Sequence, residues 1–195
     1  MKFKWTGLRP LLMHNGSLAD PISDATVAMA KLIKDRKASK KDADKAARLD
    51  AEIARIEWEF GLYWNEKLGP VILSDAIERC IQLGAQKEKL GKQAQAGALC
   101  VESDIKLNYD GPRTKEALYK EKRFCLRKGV VIQRNRVMRS RPMFPTGWWI
   151  EFDMEVDTDT ISEEAMQKAC EDAGRFIGLC DWRPKFGRFI SERIS

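Results

Sequence analysis

Apolar and polar positions alternate at the start of the chain, where KFKWTGLRPLLMHN runs into an apolar stretch and predicts a strand from about Lys2 to Met13. The loop HNGSLADP follows. Ser23 or Asp24 is placed to cap a helix through about Arg36, and a second helix is expected from about Lys41 to Glu59. In that second helix Leu49, Ile53, Ile56 and Phe60 recur at helical spacing and predict its buried stripe. The joint KDRKASKKDADK is highly charged, so the pair reads as an exposed helical hairpin inserted on a sheet.

GLYWNEKLGPVILSDAI predicts a short strand, a turn near Asn65 to Gly69, a second short strand, and a helix capped by Ser74 or Asp75. That helix is expected from Asp75 to Lys89, with Ala76, Ile77, Cys80, Ile81 and Leu83 inward and Gly91 ending it. The basic, glycine-punctuated KEKLGKQAQAG reads as a loop, and ALCVESDIKLNY as a short strand pair. Val130 to Met138 and Trp148 to Val156 are strand runs, and Pro142 and Pro145 between them argue against a continuous strand. Glu151, Asp153, Glu155 and Asp157 alternate with Ile150, Phe152, Met154 and Val156, which predicts a solvent face and a core face. Ser162 opens a capping box with Glu163 or Glu164 nearby, its helix continuing through Phe176, and a last strand is expected from about Phe186 to Ile190.

The large elements run strand, helix, strand, strand, helix, strand. That order predicts an α+β fold, a ferredoxin-like (RNA-recognition-like) antiparallel sheet, with one domain over 1–195 and a helical insertion at 22–60. Such a sheet leaves one face open, and many proteins use it for single-stranded nucleic acid. A chain of 195 residues with 44% hydrophobic positions can bury a core unaided. No apolar stretch approaches the roughly 20 residues a membrane span needs, so no membrane partner is expected. Five cysteines without a CxxC spacing suggest neither a disulfide framework nor a zinc site, and a reducing cytoplasm is the expected setting.

Charge sharpens the picture. The net charge is +6, but from Lys122 to Ile150 there is no acidic residue, while eight Lys and Arg fall there, among them Arg134, Arg136, Arg139 and Arg141. In the tail, GLCDWRPKFGR combines Arg183, Lys185 and Arg188 with the stacking surfaces Trp182 and Phe186, and glycines that allow close backbone approach to phosphate. The same aromatics would equally serve as core plugs of a turn. One of Trp148 and Trp149 must face the core.

Classical catalytic constellations are missing. His14 is the only histidine, which excludes a triad or a multi-histidine metal site and leaves it as a lone base, a phosphate contact or a surface polar group. Asp20 and Asp24 could hold a divalent cation, although helix capping explains Asp24 equally well. There is no GxxxxGK[ST], GxGxxG after a strand, or GxSxG, and no cofactor is expected.

RPLLMHNGSLADPIS and LYWNEKLGPVILSDAIERCIQLGA together resemble the repeat-associated (RAMP) proteins that form the RNA-coating backbone of CRISPR effector complexes. Within LGPVILS, Gly69, Pro70 and Ile72 match the family's signature ahead of a helix, while Leu73 stands where proline is usual. The tail GLCDWRPKFGRF is similar to the family's terminal glycine-rich loop at Gly178, Arg183, Lys185, Phe186, Gly187 and Arg188. The resemblance covers about half of the chain. It implies binding of single-stranded RNA, stacking into a homo-oligomeric filament and contact with other effector-complex subunits; a solitary relative on a phage or other mobile element fits it as well. In some members an aspartate after the first strand cuts RNA with a metal, and Asp20 matches that position.

The expectation is therefore a non-enzymatic protein binding single-stranded RNA or DNA through Arg134, Arg136, Arg139, Arg141, Arg183, Lys185, Arg188 and Trp182. The alternatives are a metal-dependent ribonuclease using Asp20 or His14, and a structural or interaction protein whose helical hairpin docks a partner.

Overall fold

The computed structural model describes residues 1–39, 41–132 and 134–194. Strands β1 (Lys2–Gly7) and β2 (Leu11–Leu12) are followed by helices α1 (Asp24–Ala38) and α2 (Ala43–Gly61). Then come β3 (Trp64–Asn65), β4 (Gly69–Leu73), α3 (Ser74–Ala85), α4 (Gly91–Gly97), β5 (Ala98–Cys100) and β6 (Asp104–Lys106). Helix α5 (Lys115–Lys120) precedes β7 (Cys125–Ile132), β8 (Asn135–Phe144) and β9 (Trp149–Val156), and the chain closes with α6 (Glu163–Asp172) and β10 (Phe189–Arg193). The protein is α+β with antiparallel strand pairing, and no described helix is long and apolar enough to cross a membrane. The chain divides into two compact units: one of residues 1–12, 63–111 and 144–195, the other of residues 13–62 and 112–143.

The first unit is built on a four-stranded sheet in the order β10-β1-β9-β5. Alternation along β1 and β9 sends Phe3, Trp5, Ile150, Phe152 and Met154 into the core, each at most 2% exposed. Helices α3 and α6 pack on each other and on β5 and β10, burying Ile77, Cys80, Ile81, Met166 and Cys170. Their backbones approach so closely at Gly84 that a Cβ there would lie 2.3 Å from the Ala169 carbonyl oxygen. A second small sheet, β3-β4-β6, lies in the same unit.

Several expectations are corrected here. The first strand breaks after Gly7 because Leu8 and Arg9 donate their N–H groups to the Arg188 carbonyl, and Pro10 has none to give. Neither Ser74 nor Asp75 caps α3; Leu73 is its N-cap, without a side-chain bond. Gly91 does not end that helix. The chain closes earlier, in a Schellman arrangement: Lys89, left-handed at φ 62°, donates to the Gln86 carbonyl while Leu90 donates to that of Ala85. Gly91 is thereby free to begin α4, in what reads by composition as a loop. Strands β5 and β6 do not pair with each other: β5 joins β9 and β6 joins β4. The tail strand starts at Phe189, three residues later than expected.

The open face of the four-stranded sheet carries Glu151, Asp153, Glu155 and Glu192 against only Lys2 and Lys4. Lys2 reaches Asp153 at 3.9 Å and Lys4 reaches Glu151 at 4.0 Å. The predicted solvent face of β9 is thus present, and the face carries a net negative charge, which repels a polyanion.

In the second unit α1 and α2 form the expected helical pair, capped by Ser23 on the Thr26 N–H and by Asp42 on the Lys45 N–H. The buried stripe of α2 differs from the predicted one: Ala46, Ala54, Glu57, Trp58 and Gly61 are buried, while Leu49, Ile53 and Ile56 are half-buried and Phe60 is exposed. Trp58 sets this rotation, its Nε1 donating to the Phe124 carbonyl at 2.8 Å. Strands β7 and β8 form an antiparallel hairpin, so the basic segment is two strands rather than one. Strand β8 runs on through Pro142, contrary to expectation, because this proline pairs with Cys125 at the end of the ladder, where a missing N–H costs little.

Candidate nucleic-acid interface

The tail loop of the first unit is held in shape by its backbone. Gly178, Cys180, Trp182 and Gly187 all have positive φ, and Leu179 N–H donates to the Gly187 carbonyl at 2.8 Å to close the loop. The loop is anchored to the segment after β1: Gly187 N–H donates to Pro10, Asp181 N–H to Leu12, and both Leu8 and Arg9 to Arg188. Arg183 and Lys185 are exposed on it, and Arg188 is half-buried. The Arg188 Nε is buried with no hydrogen-bond partner among the described residues. Trp182 is half-buried, its ring centroid 6.0 Å from that of Phe186, so it is neither a deep core plug nor fully presented to solvent.

This anchoring brings in a residue that the linear sequence does not associate with the tail. Arg9 is exposed at the very segment that binds the Arg188 carbonyl, and its own carbonyl accepts the Trp148 Nε1–H at 2.9 Å. Arg9, Arg183, Lys185 and Arg188 therefore gather around one loop, with Asp181 as its carboxylate. Of the two adjacent tryptophans, Trp148 is fully buried and Trp149 is half-buried, with the Lys4 ammonium 4.9 Å from its ring centroid.

The second cationic surface is the β7–β8 hairpin. Arg134 sits at its turn with φ 67°, exposed; the adjoining Gln133 lies outside the described residues. The register divides the cations between two faces. Lys128 pairs directly with Arg139 and shares a face with Arg141, whereas Arg127 and Arg136 lie on the other, the Arg136 side chain lying over Gly129.

The apparent absence of carboxylates is also a feature of the linear order alone. Glu57 of α2, 6% exposed, pairs with Arg139 and accepts the Ser140 N–H at 3.0 Å, and Glu121 accepts from Arg123 at 2.8 Å. Arg139 thus belongs to the scaffold as much as to the surface. Replacing Arg139 by alanine strands a buried carboxylate and is expected to cost about 3 kcal/mol, the low end for breaking a buried pair because Arg139 is 38% exposed. Arg134→Ala at the exposed turn is expected to change urea stability by less than about 0.5 kcal/mol. Equal stability losses in the two variants would contradict this division of roles.

His14 and Asp20 are both exposed in the second unit. The Asp20 carboxylate accepts the Ile22 N–H at 3.1 Å, a local turn bond, while Ser23 rather than Asp24 provides the helix cap. No group of three or more His, Cys, Asp or Glu placed to hold a metal occurs among the described residues. All five cysteines are free, and burial pushes the thiols of Cys80 and Cys100 up to about 12, which keeps them un-ionised and inert as nucleophiles at neutral pH. A scan against protein-family models and a search of curated proteins found no match to this chain.

Proposed function

We propose that this protein is a non-enzymatic, RAMP-like binder of single-stranded nucleic acid, with RNA favoured over DNA by the resemblance of its ends. The observation that carries the reading is the tail loop, where Arg183, Lys185 and Arg188, with Arg9 on the segment bonded to it, stand on a backbone held in a fixed, closed shape by residues of positive φ. Guanidinium groups bind phosphate in a bidentate manner, and the buried Gly178 and Gly187 let the loop backbone close on itself, which fixes the positions from which those side chains project. The hairpin with Arg127, Arg134 and Arg136 adds a second electrostatic surface.

The order β1, α3, β5, β9, α6, β10 and the antiparallel strand order β10-β1-β9-β5 support a ferredoxin-like reading of the first unit. Its acidic open face directs the proposal away from sheet-face recognition and toward loop and hairpin. Assembly into a filament, alone or with other subunits, is the form the resemblance suggests for such a protein on a strand.

Fluorescence anisotropy with labelled single-stranded RNA and DNA tests the proposal. Affinity is expected to fall by roughly two to three orders of magnitude between about 50 and 200 mM salt if six phosphates are neutralised. Arg183→Ala with Arg188→Ala is expected to weaken binding by about 1–3 kcal/mol at unchanged melting temperature. A double variant that binds both strands as the parent does removes the loop from the interface. Magnesium-dependent cleavage lost in Asp20→Ala would replace the binding reading with the ribonuclease one.

A further inference from the structure

The second unit contains a cleft of about 290 Å³ between the C-terminal half of α2 and α5. Its inner wall is aromatic. Trp58, 1% exposed and fixed by its bond to the Phe124 carbonyl, lies with its ring centroid 5.3 Å from that of Tyr119 at an interplanar angle of 59°. Arg55, Lys115 and Lys120 line the remainder, with Glu59 and Glu116 as the only carboxylates of the lining, which leaves it net positive. Burial, and secondarily the neighbouring Cys125, raise the Tyr119 phenol above its ordinary range, while the Arg127 and Arg55 guanidiniums oppose that rise.

An aromatic wall with a cationic border selects a ligand that is flat at one end and anionic at the other. The volume sets its size: it lies at the lower end of small-molecule sites, enough for one nucleotide and too small for a dinucleotide cofactor. We propose that this cleft binds a single nucleoside monophosphate unit, its base against Tyr119 and its phosphate on Arg55 and the α5 lysines. The site is additional to the strand-binding surfaces, none of its lining residues belongs to them, and it does not depend on that reading. The same chemistry is offered by a free nucleotide and by one nucleotide of a strand.

Isothermal titration calorimetry of the intact protein with adenosine monophosphate, uridine monophosphate, adenosine and inorganic phosphate decides the matter. Either nucleotide is expected to bind at least about tenfold more tightly than adenosine or phosphate, each of which supplies half of the recognition. Arg55 is exposed, so Arg55→Ala is expected to keep the fold and to weaken nucleotide binding by about tenfold, the loss of a charge-assisted hydrogen bond. Tyr119→Phe should retain binding and Tyr119→Ala lose it; if the alanine variant unfolds, Arg55→Ala and Lys120→Ala carry the test. A 5′-phosphorylated hexanucleotide that competes with the bound mononucleotide identifies a strand as a source, and one that does not identifies the free nucleotide. Arg134→Ala with Arg136→Ala is expected to weaken strand binding while leaving mononucleotide binding unchanged, which separates failure of the hairpin from failure of the cleft. No nucleotide binding at millimolar concentration, equal affinity for phosphate and nucleotide, or unchanged binding in Arg55→Ala would overturn the proposal.

Discussion

Trp148→Ala is expected to destabilise the protein by about 3–5 kcal/mol, the range for removing a large aromatic from a packed core. The indole is fully buried and lies over Gly7, where a Cβ would come within 2.2 Å of its Nε1. It is fastened from both ends: the Trp148 carbonyl accepts the Gly7 N–H at 2.7 Å, and its Nε1–H bonds the Arg9 carbonyl at 2.9 Å. Phe189 packs edge-on against it, with centroids 6.4 Å apart. Truncation leaves a cavity that β1 and β10 cannot fill without losing their register, and it orphans the Arg9 carbonyl. Since a domain of this size has only about 5–15 kcal/mol to lose, the urea midpoint should move far toward water. The adjacent Trp149→Ala is the control. That residue is half-buried, with Lys4 over its ring, and its loss is expected to cost about 1 kcal/mol. Similar losses in the two variants would place the wrong indole in the core.

Gly187→Ala is expected to cost about 2–5 kcal/mol and to abolish the binding assigned to the tail loop. Two effects add. Gly187 has φ 72°, where an L-residue pays about 1 kcal/mol or more, and a Cβ would lie 1.9 Å from the Leu179 carbonyl oxygen. That oxygen is backbone, so no rotamer change relieves the contact. The loop must open, breaking the Leu179-to-Gly187 bond and the Gly187-to-Pro10 anchor, and Arg188 then loses its place beside Arg9. Gly16→Ala, with nothing within 4 Å of its new Cβ, is expected to be nearly silent and checks that glycine replacement as such is harmless. Thermal melting and anisotropy on both variants measure the two effects separately; Gly187→Ala with parental stability and parental affinity would remove the loop's proposed rigidity.

What the sequence by itself determined is local. The alternation of Glu151, Asp153 and Glu155 with Ile150, Phe152 and Met154 set the two faces of β9, because successive side chains of a strand point to opposite sides whatever it pairs with. Ser23 and Ser162 marked helix starts, because a hydroxyl beside unsatisfied N–H groups acts within three residues. The cationic character of the tail and of the 122–150 segment was likewise legible. What only the tertiary structure decided is partnership across long separations. Neither the Glu57–Arg139 pair, 82 residues apart, nor the approach of Arg9 to Arg188 has a local signal. The face on which each hairpin arginine stands follows from a register fixed by pairing Cys125 with Pro142, and the acidity of the open sheet appears only when Glu192 of β10 is set beside Lys4 of β1. Backbone geometry repeats every two or 3.6 residues and can be read along the chain, whereas a buried carboxylate or an unpaired carbonyl takes whichever distant partner lowers its desolvation cost, and that partner exists only once the chain has folded.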